Sequence, residues 1–287
     1  MIQWPDALVD DIARRRAILF LGAGVSLNSV SPGGYRPPTW EEFLRAGVEK
    51  CTNPKQHIQS LLKQRDFLTA CEVIKHKLGR EWDDLLDEYF VHPRYKPAEI
   101  HEHIFKLDAR MVLTQNIDKI YDTYAQNESG NTVAIKQYHD ADVARVARGR
   151  QRAVIKAHGS IDNRDGLIFT REDYAKTRHV YESFYRLLDA LVLTHTFVFM
   201  GCGANDPDAQ LMLERHANQF PYGRCHYMCA PANHFHADVR ESMKRNYNIE
   251  ILRYNPNNRH TELTQSLADL VNRVDEKKAK LSETQEW

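Results

Sequence analysis

The chain has 287 residues, of which 42% are hydrophobic, 10% aromatic and 27% charged, the make-up of an ordinary folded domain with a sizeable core. Lys and Arg number 39 and Asp and Glu number 39, so the formal net charge is zero and no global field gathers nucleic acid or anionic lipid. No apolar run is long enough to span a bilayer, and Arg14-Arg15-Arg16 follows the first amphipathic stretch instead of preceding it as in a secretory leader. A cytoplasmic protein with neither a membrane nor a direct nucleic-acid partner is therefore expected.

In chain order, the first continuous apolar run is Ala17–Leu21, which leads directly into Gly22-Ala23-Gly24-Val25-Ser26. Helical spacing follows in Phe43, Leu44, Gly47 and Val48, and again in Trp82, Leu85, Leu86, Tyr89 and Phe90. The second run, Met111–Thr114, opens onto Gln115-Asn116-Ile117-Asp118. The third, Ala153–Ala157, opens onto His158-Gly159, after a loop carrying Arg145, Arg148, Arg150 and Arg152. The fourth, Phe197–Met200, ends in Gly201-Cys202-Gly203-Ala204-Asn205-Asp206-Pro207. His226–Ala230 and Ile249–Tyr254 complete six runs, and Leu263, Leu267, Leu270, Val271 and Val274 mark a last helix. Short apolar runs alternating with helical patterns predict an α/β fold: a Rossmann-like, doubly wound, six-stranded, mostly parallel sheet. The long interval between the first two runs, about 54–104, together with 160–193, predicts a smaller helical lobe inserted in one domain, 1–274. The charged stretch 275–287 reads as a fraying helix or tail.

The polar residues sit where such a sheet binds ligands, at the carboxyl ends of its strands. Gly22 and Gly24 permit a tight turn and close backbone approach to a pyrophosphate, with Ala23 between them and the Ser26 hydroxyl beyond. The third glycine of the usual dinucleotide fingerprint is absent, since position 27 is Leu, and so is the ribose-reading acid of a dehydrogenase. The second turn offers Gly201 and Gly203 for another phosphate or the adjacent ribose. Asp206 either accepts from a ribose hydroxyl or caps the next helix. Asp118 reads as a helix N-cap before Ile120-Tyr121. Tyr254, ending the last run, is placed to flank an adenine. The five cysteines form no pair of C-x2-C motifs, so no metal is expected.

The series Gly22-Ala23-Gly24-x-Ser26, Thr114-Gln115-Asn116-Ile117-Asp118 and His158-Gly159 resembles the sirtuin family in order and spacing. The resemblance covers roughly Ala17 to Tyr254. It departs where protein-deacylating sirtuins carry a zinc ribbon, because 159–200 contains no cysteine. It also departs where they carry an isoleucine-proline-x-phenylalanine-arginine element, here Pro37-Pro38-Thr39-Trp40. Leu167 to Tyr174 is similar to a segment of the zinc-less bacterial branch found in anti-phage systems such as Thoeris and in two-gene systems paired with a HerA-type ATPase. The stand-alone subunit of the latter is the nearest likeness.

That resemblance implies NAD+ as substrate and cleavage of its nicotinamide–ribose bond by water. It implies Asn116 as the residue placing the water and His158 as general base, a proton-transfer role that imidazoles commonly fill. It further implies Asp118 reading the nicotinamide carboxamide, Gln115 lining the ribose pocket, and an NAD-depleting effector of phage defence gated by homo-oligomerisation or the ATPase partner. Two alternatives stay open: an NAD-dependent deacylase or ADP-ribosyltransferase on the same fold, and a non-enzymatic NAD- or ADP-ribose-binding regulatory subunit.

Overall fold

The computed structural model describes residues 1–203, 207–220 and 222–284. The first helix, α1 (Asp6–Ala13), feeds the central strand β1 (Ala17–Leu21) and a single turn of helix, α2 (Ala23–Ser26). Four helices follow, α3 (Trp40–Lys50), α4 (Gln56–Lys63), α5 (Phe67–Leu78) and α6 (Glu81–Leu86), the last continued by a π turn at Asp87–Val91. Next come α7 (Glu99–Lys106), β2 (Met111–Thr114), α8 (Ile120–Glu128), β3 (Ala134–Gln137), α9 (Val143–Arg148) and β4 (Ala153–Lys156). Helices α10 (Arg171–Val180) and α11 (Glu182–Thr194) lead to β5 (Thr196–Met200) and α12 (Pro207–Gln219). The chain ends with β6 (His226–Pro231), α13 (Ala237–Tyr247), β7 (Ile249–Tyr254) and α14 (Asn257–Thr284).

The strands form one sheet in the order β3-β4-β2-β1-β5-β6-β7, every pair parallel. The six expected strands are present, and a seventh, β3, adds an edge beside β4. Its sequence, Ala-Ile-Lys-Gln, is only half-buried and carries little of the apolar signal by which the others are read. Chain order reverses across β1, with β2 on one side and β5 on the other, which makes the β1/β5 boundary the topological switch point.

Alternation along the strands divides two cores. Leu19, Leu21, Val112, Val154 and Val198 join α1, α7, α8 and α14 on one face. Ile18, Phe20, Leu113, Ile155, Phe197 and Phe199 pack on the other, against α10 to α13. A third core belongs to the helical lobe. Phe43, Leu44, Ile58, Ile74 and Leu85, from α3 to α6, meet Ile117, Ile161, Leu167 and Phe169 from beyond the strand ends. Within the segments expected to form the lobe, α4 to α6 contribute to this core, whereas Ile100 and Ile104 of α7 and Leu188 and Leu191 of α11 pack on the sheet. The charged stretch after residue 274 continues α14 as far as Thr284 and buries Leu281 in the first core.

Candidate active site

The ends of β1, β2, β4 and β5 open onto a cavity of about 550 Å³ between the sheet and the lobe. That is room for a cofactor-sized ligand. Its sheet-side wall holds Gly22, Ala23, Ser26, Gln115, Asn116, Asp118, His158, Gly201 and Gly203. The lobe supplies Trp40, Arg65, Phe67 and Phe90, and the chain beyond β4 adds Ile168, Phe169 and Tyr174. Helices α3 and α10 begin at this cavity, each started by a capping box, Thr39 with Glu42 and Thr170 with Asp173.

Three of the expected polar residues form one network. Asn116 Nδ2 donates to the Gly22 carbonyl and to Ser26 Oγ, both at 3.0 Å. Ser26 Oγ in turn donates to Asp118 Oδ2 at 2.8 Å. A carbonyl needs a donor, so the Gly22 contact fixes which end of the Asn116 amide is nitrogen. No donor among the described residues occupies Oδ1, which leaves the amide oxygen to accept in the cavity. The Thr114 hydroxyl donates to the Leu21 carbonyl and accepts from the Asn116 amide, each at 3.0 Å, so β2 releases its chain at a set angle. Asp118 Oδ1 accepts the Ile120 amide at 3.0 Å, one residue ahead of the α8 N-cap position, which is Lys119. The carboxylate is buried with both oxygens engaged.

His158 follows β4 and meets Tyr174 of α10, Nε2 to hydroxyl at 3.3 Å with the rings edge to face. Gly159 sits at φ +79, and a Cβ there would lie 2.2 Å from the Gly166 carbonyl oxygen. That contact turns the chain back so that the Ile168 amide donates to the His158 carbonyl. The two glycine turns are zipped together. Gly22 N–H donates to the Met200 carbonyl and Gly24 N–H to the Gly201 carbonyl, each at 2.9 Å. A Cβ on Gly22 or Gly24 would meet Gly201 at 2.5 or 2.8 Å, and Gly201 itself is at φ +65. Glycine is needed here for loop-on-loop packing at the switch point. Gly24 is spent on that packing and is not part of the cavity wall. Tyr254 is buried in the first core, its hydroxyl 3.0 Å from His260 Nδ1, and also lies outside the wall. Asp206 lies outside the described residues.

Sequence reasoning missed Lys156, the last residue of β4. It is completely buried, its Nζ donates to the Asp118 backbone carbonyl, and it pairs with Asp122 Oδ2 at 3.2 Å. Burial pushes the Asp122 carboxyl above the ordinary carboxylate range, against the pull of the Lys156 ammonium. The only sequence signal was a lysine ending an otherwise apolar run. Among the described residues no group of three or more His, Cys, Asp or Glu could hold a metal, and no helix is long and apolar enough to cross a membrane.

Residues 110–252 match the family model described as SIR2-like domain, a span that includes Asn116, Asp118, His158 and the second glycine turn. The chain is 25% identical over 248 residues to "NAD(+) hydrolase ThsA" of Acinetobacter baumannii, covering 85% of this chain and 48% of that protein. It is 22% identical over 222 residues to the protein of the same name from Bacillus cereus, covering 76% and 44%. It is 26% identical over 205 residues to "Defense-associated sirtuin 2" of Bacillus subtilis, covering 69% and 19%. The chain thus spans about half or less of the length of these curated relatives. The chain is thus similar over 110–252 to the SIR2-like domain, and over most of its length to proteins named NAD(+) hydrolase and to one named a defence-associated sirtuin.

Proposed function

We propose that this protein is an NAD+ glycohydrolase, converting NAD+ and water to ADP-ribose and nicotinamide. The observation that carries the reading is the Asn116 amide, clamped by the Gly22 carbonyl and Ser26 Oγ in the same cavity as His158. The bond between the anomeric carbon and the nicotinamide nitrogen breaks, and its electron pair leaves on neutral nicotinamide. Asp118 lies at the closed end of the Ser26–Asn116 network and reads the carboxamide of that leaving group. The oxocarbenium-like ribose then takes water, held by Asn116 Oδ1, which orients it without needing to ionise. His158 accepts the released proton through a ribose hydroxyl, and Gln115 borders the same ribose. Gly22, Gly201 and Gly203, with the small side chain of Ala23 beside them, give the diphosphate a wall made largely of backbone.

The names of the relatives, NAD(+) hydrolase and defence-associated sirtuin, support NAD+ hydrolysis in a defence role, and the role we assign is depletion of NAD+ against phage. Such an activity harms its host unless it is restrained, so we place it under control of assembly, either homo-oligomerisation or a HerA-type ATPase partner. Gating sets the rate and leaves the chemistry unchanged, so slow release is expected even from the isolated chain. The test is incubation with NAD+ in 18O-labelled water, followed by mass spectrometry, with an acyl-lysine peptide in a parallel sample. Labelled ADP-ribose and nicotinamide are expected in both. Absence of nicotinamide release, or O-acyl-ADP-ribose in the peptide sample, would overturn the reading.

A further inference from the structure

We infer that Lys156 is a positioning residue for this reaction, holding the Asn116–Asp118 turn in register with His158 from beneath; the inference rests on the glycohydrolase reading above. A lysine ammonium with no exposure at all is costly, and Ala153, Val154 and Ile155 show that apolar residues fill the same strand well. A buried ion pair such as Lys156–Asp122 can often be exchanged for apolar residues of similar volume without loss of stability. Stability alone therefore does not account for it. Backbone bonds already join the two segments, Ala157 N–H to the Thr114 carbonyl at 2.8 Å and Ile161 N–H to the Ile117 carbonyl at 2.9 Å, and the lysine adds a side-chain bond to the turn at Asp118 itself. Its Nζ donates to the Asp118 backbone carbonyl, and the Asp118 carboxylate receives Ser26, which receives Asn116. One unbroken chain of bonds thus runs from the end of β4, two residues before His158, to the amide that holds water. Asp122 serves as the counter-charge that lets the ammonium stay buried beneath the turn.

The test compares the wild-type chain with Lys156→Met, Asp122→Asn and the double variant Lys156→Met/Asp122→Leu, reading the urea midpoint, kcat and KM for nicotinamide release. The double variant removes both buried charges together but leaves the Asp118 carbonyl without its donor, so it is expected to fold with a modestly lowered urea midpoint. Its kcat is expected to fall about 100-fold, the scale of a misplaced reacting group, with KM little changed. Asp122→Asn leaves an amide oxygen that can accept from Lys156 Nζ, so the loss of counter-charge is expected to lower the urea midpoint while the bond to the Asp118 carbonyl persists and kcat stays within about threefold, less than half a tenfold step in free energy. A stable double variant with wild-type kcat would overturn the inference. So would an Asp122→Asn variant that loses kcat as severely as Lys156→Met, because activity would then follow the ion pair and not the link to the turn; this comparison decides the matter if the double variant does not fold. Wild-type turnover separates the two readings: no nicotinamide release from wild type strikes the glycohydrolase reading and this inference together, whereas release with either overturning result strikes Lys156 alone.

Discussion

Asn116 and Ser26 divide the labour at the base of the cavity, and substitution should separate them. Asn116→Ala removes the accepting oxygen and the bond to Gly22 while leaving a half-buried site that water can fill. Nicotinamide release should fall by about 100-fold or more, with a urea midpoint close to wild type. Ser26→Ala leaves Asn116 bonded to Gly22 but strips the shared hydroxyl from the buried Asp118. A stability loss of about 1–3 kcal/mol, measured by urea unfolding, should accompany the drop in activity. Asn116 and His158 were legible because polar residues directly after apolar runs stand out at the ends of buried strands. Asp118 was legible as a polar residue at the strand end, but its contacts were not: Ser26 and the Ile120 amide take different oxygens of its carboxylate, and the α8 N-cap position falls to Lys119. Lys156 was not legible. A lysine closing an apolar run ordinarily extends its amine into water, and nothing in the run itself says that α8 will cover it with Asp122.

The glycines show how much of an element's meaning lies outside its own sequence. Gly34 and Gly159 share nearly the same backbone, φ +81 and +79, yet a Cβ at Gly34 meets nothing within 4 Å and one at Gly159 strikes backbone at 2.2 Å. Gly34→Ala should cost about 1–2 kcal/mol, the left-handed penalty alone. Gly159→Ala should cost clearly more and reduce activity as well, both measured on the same samples. The Gly22-Ala23-Gly24 turn pointed correctly to the cavity, but the need for its second glycine comes from β5, far away in sequence. The first strand alone could not reveal it. Strand β6 carries a pH dependence. His226 Nδ1 accepts the Phe197 amide at 3.1 Å, and burial, with His216 nearby, pulls the imidazole down to about 4. In the unfolded chain it takes its proton near 6.5. The unfolded state therefore binds a proton that the folded state excludes. This contribution is fully present above about pH 6.5 and is lost as pH falls towards 4, at up to about 1.4 kcal/mol per unit. His226→Asn, which keeps an acceptor for Phe197, should flatten the fall in urea midpoint between about pH 7 and about pH 5.

At the scale of the whole molecule, the cavity exists because a lobe with its own apolar core closes over the carboxyl edge of the sheet. Trp40 at the start of α3 stacks on Phe43 at 5.7 Å and on Phe169 at 5.1 Å, joining the lobe to the chain that follows His158. Trp40→Ala opens that seam, so KM for NAD+ should rise more than kcat falls, measured by initial rates over a range of NAD+ concentrations. The alternation of strands and helices was legible as a doubly wound sheet. The edge strand β3 was not, because half-buried edges need less apolar sequence, and the extent of the lobe depends on contacts from Ile117 and Phe169 that no local pattern announces. The central claim is that Asn116 and His158 act together on NAD+ in this cavity. The most direct measurement is mass-spectrometric quantification of nicotinamide and ADP-ribose formed from NAD+ by the wild-type, Asn116→Ala and His158→Ala chains at equal concentration. Stoichiometric products from wild type and near-background levels from both folded variants are predicted. Wild-type release that survives unchanged in either variant would contradict the account.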